Sequence, residues 1–417
     1  MPAPTPPLHL PADLPQPGPR RLALHVSPAA EKALRQGHPW LYAESIRRQS
    51  HDGQPGDLAV IYDGKERFLG IGLYDPASPL RVKLLQHGQP ARIDADWFAA
   101  QVQQAAARRA PLAAQGTTGC RLIHGENDGL PGLVVDRYGA TLVLKLYAAV
   151  WPPHLRALLP ALVALPGVER VVLRLNRQLQ AGEAAGLRDA TTLAGTPPAG
   201  PVLFTENGLT FAVDVLRGHK TGFFCDQRDN RAQVRALAAG RQVLDVFAYV
   251  GAFALSAAAG GATDILSVET SAPALAAAQQ NFALNQHLPA VAAARYTQHA
   301  GDAFAALHDL AAQTRRFDMV ILDPPTFASR GDQTARALAA YRRLVRLALP
   351  LLAPAGVFVM ASCSSRVSAA DFFAAVADEA RCCGRPLHPL AHTGHALDHP
   401  VRFAEGEYLK CLFASVP

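Results

Sequence analysis

Charge is scarce in this chain: Asp, Glu, Lys and Arg together make up 18% of its 417 residues, against 49% that are apolar. That balance excludes a disordered or fibrous protein and leaves ample apolar side chain for packed cores. The length exceeds what one core usually serves, so two or three domains are expected. Cysteine is rare as well. The six, at 120, 225, 363, 382, 383 and 411, have neither the density of a disulfide scaffold nor paired metal-ligand spacing. A reduced, cytoplasmic setting without a metal centre is expected. Every longer apolar stretch is broken by Arg or Pro before it could cross a bilayer, and no charged start leads into an apolar leader. Neither secretion nor membrane insertion is expected. Lysine is nearly absent from the 40 basic residues, which are mostly arginine. The net charge of +6 and pI near 9.1 suit a polyanionic partner, because clustered cations release phosphate counterions, but an excess this small identifies none.

What is present falls into distinct stretches. Residues 1–20 are dominated by proline and hold little that could be buried, which reads as a disordered tail. From Leu22 short β-like runs alternate with turns: Leu22 to Val26, Leu58 to Tyr62, Gly70 to Leu73 and Leu80 to Leu85. They describe a β-rich module over residues 21–90. A central α+β module over 91–200 has helices expected at Asp94 to Ala114 and Pro153 to Leu165. It also has a hairpin across Arg137-Tyr138-Gly139-Ala140 and a strand at Arg170 to Leu175. Thr196 to Pro201 reads as a linker. From 201 to 417 apolar strands alternate with Ala-rich helices. The strands are Val243 to Val246, Ile265 to Glu269, Arg295 to Gln298, Met319 to Asp323 and Val357 to Ala361. Such alternation implies a parallel, doubly wound α/β sheet whose strand carboxyl ends share one edge.

The first of these strands delivers Asp245 and runs into Val246-Phe247-Ala248-Tyr249-Val250-Gly251, then a helix. A glycine at this turn lets backbone approach a ligand where the helix begins. The second strand ends in Glu269-Thr270, where an acid can accept both hydroxyls of an adenosine ribose. The third is followed by Gly301-Asp302, placed for an adenine amino group. A dinucleotide would need the G-x-G-x-x-G nest for its pyrophosphate, which this turn lacks, and Asp245 would repel phosphate. That acid instead suits a cofactor carrying an ammonium and a sulfonium. An ordinary βα turn with a solvated Asp is the plain alternative for any one position; the series of acids at successive strand ends carries the reading.

The fourth strand releases Asp323-Pro324-Pro325-Thr326-Phe327, and two prolines make that loop rigid and extended. A carboxylate held this way can bind a base edge. The fifth strand ends in Ser362-Cys363-Ser364, which puts a thiol at the same edge. Cysteines after strands are more often buried filler than nucleophiles. Here the neighbour is the inferred site, and methylating carbon 5 of cytosine or uracil requires a thiolate to add at carbon 6 first. Asp323 would hydrogen-bond the pyrimidine edge as charge develops. Upstream, Gly218-His219-Lys220-Thr221-Gly222-Phe223-Phe224-Cys225-Asp226-Gln227-Arg228-Asp229-Asn230-Arg231 offers contacts to both cofactor and RNA, or is only a domain-entry hairpin and a charged helix face. The candidate cofactor set is thus Asp245, Phe247, Gly251, Glu269, Thr270, Asp302, Asp323, Pro324 and Gln227. The candidate RNA set is Lys220, Arg228, Arg231, Pro325 and Phe327, and the catalytic pair is Cys363 with Asp323.

With those residues in view, the chain resembles the bacterial 23S ribosomal RNA cytosine-5 methyltransferases that carry an N-terminal PUA domain. The markers are Gly37-His38-Pro39-Trp40-Leu41-Tyr42, Asp128-Gly129-Leu130-Pro131-Gly132-Leu133, Gly218-His219-Lys220-Thr221-Gly222-Phe223-Phe224, Leu322-Asp323-Pro324-Pro325, Ser362-Cys363-Ser364, Asp398-His399-Pro400-Val401 and Glu407-Tyr408-Leu409-Lys410. The resemblance covers nearly everything after the proline-rich start. It implies S-adenosyl-L-methionine as cofactor and large-subunit ribosomal RNA as partner, with a PUA domain over 21–90 that binds structured RNA and a middle module that shapes the substrate cleft. The implied fold of 201–417 is a class I (Rossmann-like) seven-stranded methyltransferase sheet with a closing antiparallel hairpin, into which Glu407 to Phe413 fits. Cys363 matches the family nucleophile, and Asp245, Glu269, Asp302 and Asp323 match its cofactor and motif IV acids. Two departures stand out. Ala252 follows Gly251 where many relatives have a second glycine, and Thr326 replaces the more usual lysine, which removes a charge near the substrate.

Two other functions compete. An amino-directed methyltransferase on adenine or guanine also uses Asp-Pro-Pro but needs no thiol, and usually has an aromatic directly after the prolines, where Thr326 stands here. A noncatalytic RNA-binding protein would need neither the cofactor acids nor the strand-end cysteine. The residues do not choose between a monomer and a homodimer.

Overall fold

The computed structural model describes residues 5–182, 185–327 and 333–417. Its chain divides into two compact units: Met1–Glu206 with Val213–Cys225 and Leu397–Gly406, and Asn207–Ala212 with Asp226–Ala396 and Glu407–Pro417.

The first unit contains two sheets. Six strands pair in the order Trp40–Leu41, Val82–His87, Phe68–Tyr74, Leu58–Tyr62, Leu22–Val26 and Ile46–Gln49. Alternate residues such as Leu22, Leu24, Ala59 and Ile61 point into one core, as the period of two along a strand requires. Five more strands pair as Thr191–Ala194, Arg170–Leu175, Thr141–Leu146, Leu133–Tyr138 and Gly119–His124. The hairpin expected across Arg137 to Ala140 is there, with Tyr138 opposite Thr141 and Gly139 turning the chain at φ 58°. The helix Ala95–Ala114 begins where the Asp94 carboxylate accepts the Trp97 amide at 3.1 Å, and it lays Phe98, Val102 and Ala105 on this second core. From the same helix Arg109 grips Asp128 with two bonds of 3.0 and 2.6 Å and donates to the Asp398 carbonyl at 2.8 Å.

Residues 5–20 depart from the disordered tail expected over residues 1–20, of which 1–4 lie outside the described residues. Leu8 forms a bridge with Ala194, the His9 amide donates to the Leu193 carbonyl at 2.7 Å, and Leu14 is 4% exposed within the second core. Proline removes a donor but keeps its acceptor: the Pro7 carbonyl accepts the Gly195 amide at 2.9 Å and that of Pro11 accepts Arg156 at 2.8 Å. One buried leucine and a few such bonds are enough to dock a segment that composition marks as loose.

A seven-stranded sheet fills the second unit. Its strands are β1 (Gln242–Val246), β2 (Asp264–Glu269), β3 (Arg295–Ala300), β4 (Phe317–Leu322), β5 (Leu352–Ser362), β6 (His388–Thr393) and β7 (Lys410–Ser415). They lie in the order β3-β2-β1-β4-β5-β7-β6, with β1 to β5 parallel and β7 antiparallel to both neighbours. This is the class I methyltransferase order with its closing hairpin. β4 ends at Leu322, and Asp323 follows with its amide donating to the Val246 carbonyl of β1 at 3.4 Å. β5 starts at Leu352, earlier than its apolar run suggests, because Ala355 at φ 55° interrupts the alternation and shifts the register with β4. β6 is a polar edge strand with Pro389 at a register shift, so no apolar pattern announces it. No helix among the described residues is long and apolar enough to cross a membrane.

Two fully buried asparagines tie this unit to its ligand edge. On the helix Ala272–Leu284, Asn281 accepts the Ala212 amide at 2.8 Å and donates to the Val250 carbonyl at 3.0 Å. Asn285 accepts the Thr210 amide at 2.9 Å and donates to the Thr210 carbonyl at 2.6 Å. Each side-chain amide thus replaces a strand partner for backbone that lacks one. Asn281→Leu leaves a buried donor and a buried acceptor unmet, each worth about 1–3 kcal/mol. We expect a loss of roughly 2–4 kcal/mol in urea unfolding; an unchanged midpoint would refute this assignment.

Candidate active site at the strand ends

The turn after β1 is unusually contorted. Phe247, Tyr249 and Gly251 all have left-handed backbone, at φ 66°, 48° and 71°. The first two are not glycines, so the fold holds them against their preference, as ligand-binding turns commonly do. Bonds from both sides enforce it: the Phe247 and Ala248 amides donate to the Val268 carbonyl at 3.0 and 3.1 Å, and the Tyr249 amide donates to the Glu269 carboxylate at 2.9 Å. At Gly251 a Cβ would stand 2.8 Å from that of Ala278, so no side chain fits where the helix Ala252–Ala259 begins.

Asp245, on β1 just beneath this turn, is 1% exposed. One carboxylate oxygen accepts the Ala254 amide at 3.1 Å, whereas the other is buried and has no hydrogen-bond partner among the described residues. Burial pushes this carboxyl up to about 7; the Ala254 amide opposes the rise, and the charges of Asp323 and Glu269 add to it. An unmet buried oxygen in an acidic cluster is what a ligand ammonium would satisfy, and the residues therefore fit a cofactor of the kind expected. Glu269 ends β2 with its other oxygen accepting the Ser271 amide at 2.9 Å and the Thr270 hydroxyl at 3.1 Å. Its carboxylate is oriented by three donors and keeps lone pairs for ribose hydroxyls. Thr270 enters as a support of Glu269. Asp302 is exposed and spends one oxygen capping the helix Ala303–Ala312 through the Ala305 amide at 3.0 Å.

Asp323 follows β4, and its carboxylate accepts the Gln227 side chain at 3.0 Å. Gln227 in turn accepts from Asn230 at 2.5 Å, and Asn230 accepts the Thr393 hydroxyl. Gln227, 3% exposed, thus belongs to the cluster by aiming Asp323. Pro324 is buried and Pro325 exposed. Cys363 follows the adjacent strand β5 and is half-buried, with the Thr326 hydroxyl 3.2 Å from its sulfur. The departure at position 326 therefore places a small hydroxyl beside the thiol. Cys411, in contrast, is fully buried and burial pushes its thiol well up. Behind Cys363, Tyr341 hydrogen-bonds Ser362 at 2.8 Å and is pushed by burial up to about 12, so it stays a neutral phenol.

Three residues expected against RNA are placed otherwise. Arg228 and Arg231 are 1% and 2% exposed, because the helix Arg228–Leu237 turns its first turn inward; as folded, neither guanidinium reaches a phosphate. Arg231 lies over the Phe253 ring, 6.0 Å from its centroid. Phe327 packs edge-on to Tyr341 at 5.4 Å and against Phe304, as part of the apolar wall rather than a free stacking surface. Lys220, in the first unit, is exposed with left-handed backbone (φ 54°) and its ammonium lies 4.9 Å from the centre of the Phe224 ring. Sequence reasoning missed Tyr341 and Thr393, since nothing local marks a helix tyrosine or an edge-strand threonine as partners of a distant loop.

If Asp245 holds the cofactor's ammonium, its raised carboxyl should make cofactor binding pH-dependent. Its ionised form is the one that attracts a cation, and protons compete for it below pH 7, so affinity is full above about pH 8. It falls toward tenfold per pH unit below about pH 6. Calorimetry with S-adenosylmethionine at pH 6 in two buffers of different ionisation heat should show release of close to one proton. Asp245→Asn should bind weakly and without this dependence; a wild-type profile that stays flat from pH 5 to 8 would count against the assignment.

Comparison with known proteins agrees with this geometry. A family model for S-adenosylmethionine-dependent methyltransferases matches residues 120–406, and one for PUA-like domains matches residues 24–87. A ribosomal RNA large subunit methyltransferase of Deinococcus radiodurans is 47% identical over 399 residues, covering 94% of this chain and 97% of that protein. A ribosomal RNA large subunit methyltransferase I of Shewanella denitrificans is 36% identical, covering 95% and 99%. Among solved structures, a methyltransferase complexed with SAH superposes with a TM-score of 0.80 at 22% identity over 95% of this chain, which shows the shared fold. The chain belongs to the ribosomal RNA large subunit methyltransferase I family, and its cofactor is S-adenosylmethionine.

Proposed function

We propose that the chain methylates carbon 5 of a cytosine in large-subunit ribosomal RNA through a covalent adduct with Cys363. The observation that carries this reading is the placement of Cys363 and Asp323 after adjacent parallel strands, beside the acids suited to the cofactor. The names of the relatives supply the RNA, the thiol supports carbon 5 of a pyrimidine, and cytosine rather than uracil rests on the family resemblance. When bound, S-adenosylmethionine supplies an electrophilic methyl group. Asp245 and Glu269 would hold it at its ammonium and ribose. The Cys363 thiolate adds to carbon 6 of the ring, which turns carbon 5 into an enamine nucleophile. Asp323, aimed by Gln227, bonds the polar edge of the base as charge builds there. Once carbon 5 carries the methyl, loss of its proton and expulsion of the thiolate restore the aromatic ring and the free cysteine. An amino-directed reaction would instead need an aromatic to stack on the target, and Phe327 is engaged with Tyr341 and Phe304. The PUA-like domain over residues 21–90 would contribute binding of structured RNA.

Cys363→Ala should abolish methyl transfer while calorimetric binding of S-adenosylmethionine persists, and nucleoside analysis of wild-type product should show 5-methylcytidine. Undiminished turnover of the variant would sink the covalent route, and N6-methyladenosine or N2-methylguanosine would replace the cytosine assignment. Asp323→Ala should lower kcat on the order of 10²-fold or more.

A further inference from the structure

Lys410 is the only lysine in the second unit. It is 5% exposed at the start of β7, where Cys411-Leu412-Phe413-Ala414 follow as buried, apolar neighbours. Antiparallel pairing sets it opposite Ser362, the last residue of β5. From there its ammonium donates to the carbonyls of Ser364, Val367 (2.5 Å) and Tyr408 (3.3 Å). Three protons therefore meet three acceptors, the full capacity of an ammonium. Two of those acceptors belong to the turn after β5, Cys363 to Ser368, and one adjoins Cys363 directly. A buried lysine is costly in an apolar strand, and this one spends every donor on holding backbone rather than pairing with a carboxylate.

We propose that Lys410 is a positioning residue for Cys363, clamping the turn that carries the sulfur and supplying the positive charge that favours the thiolate. The catalytic meaning of this rests on Cys363 being the nucleophile; the clamp and the charge do not. Among the described residues, Lys410 from β7 and Tyr341 from the helix Thr334–Ala348 act on the thiol, and Asp323 follows the neighbouring strand β4. Tyr341 is neutral and Asp323 opposes a second negative charge, so Lys410 is the group among them that stabilises the thiolate. Burial brings the ammonium down to about 8, while the charges of Cys363 and Glu407 hold it up. At neutral pH it is charged. Above pH 8 a neutral amine has two protons for three carbonyls, so charge and clamp weaken together.

The test is the pH dependence of iodoacetamide labelling at Cys363, read by peptide mass spectrometry on the full chain without RNA. Lys410→Met should move the labelling midpoint up by about one pH unit or more and slow labelling at pH 7 on the order of tenfold. Lys410→Arg, which keeps the charge, should recover most of the wild-type profile. In turnover Lys410→Met should lower kcat with the KM for RNA little changed. Circular dichroism and S-adenosylmethionine binding report whether each variant folds; should the Met variant fail, Lys410→Gln, which keeps donors and loses charge, decides in its place. A folded Met or Gln variant with the wild-type labelling profile overturns the proposal. Turnover retained by Cys363→Ala would instead dispose of the covalent route and leave the labelling result to judge Lys410 alone.

Discussion

Parallel pairing in one register makes this site possible. Val246 lies opposite Leu322 and Leu322 opposite Met360, so β1, β4 and β5 release their chains close together along one edge. Backbone hydrogen bonds between strands hold Asp245, the loop of Asp323 and the turn of Cys363 in place, and the side chains need only be aimed. The acids are aimed by neutral groups, Gln227 for Asp323 and backbone amides for Glu269, whereas the turn of Cys363 is held by the Lys410 ammonium, with the Thr326 hydroxyl beside its sulfur. Neutral partners fix direction without cancelling the charges that a cationic cofactor and a developing anion require.

The edge concentrates negative charge, and that has a cost. Asp245, Glu269 and Asp323 act on one another, and the most buried of them takes up a proton near neutrality. The unbound site is thus strained electrostatically as well as in the backbone of Phe247 and Tyr249. A cofactor with an ammonium and a sulfonium relieves the first strain on arrival. Burial separates the cysteines: Cys411, on β7, is fully buried and its thiol is pushed well up, whereas Cys363 stands half-buried next to a hydroxyl and near an ammonium.

Much of this was legible in the sequence by itself. Strand-to-helix alternation, Asp245 before Gly251, Glu269 at the end of β2 and Asp323-Pro324-Pro325 are local patterns whose chemistry follows from the residues, and they pointed to the fold class, the cofactor and the edge on which the site is proposed. Strands of the parallel core showed plainly because both their faces are buried and they read as apolar runs; the edge strand β6 is polar and did not. What only the tertiary structure decided is where long side chains end. Arg228 and Arg231 look like RNA contacts along the chain and fold inward, the proline-rich start looks unstructured and docks through Leu14, and Lys410 resembles a surface charge until β7 pairs with β5 and turns it onto the Cys363 loop. Secondary structure and turn chemistry depend on neighbours a few residues away, whereas the environment of an arginine or lysine tip depends on elements further along the chain, such as the carbonyls 43 and 46 residues from Lys410.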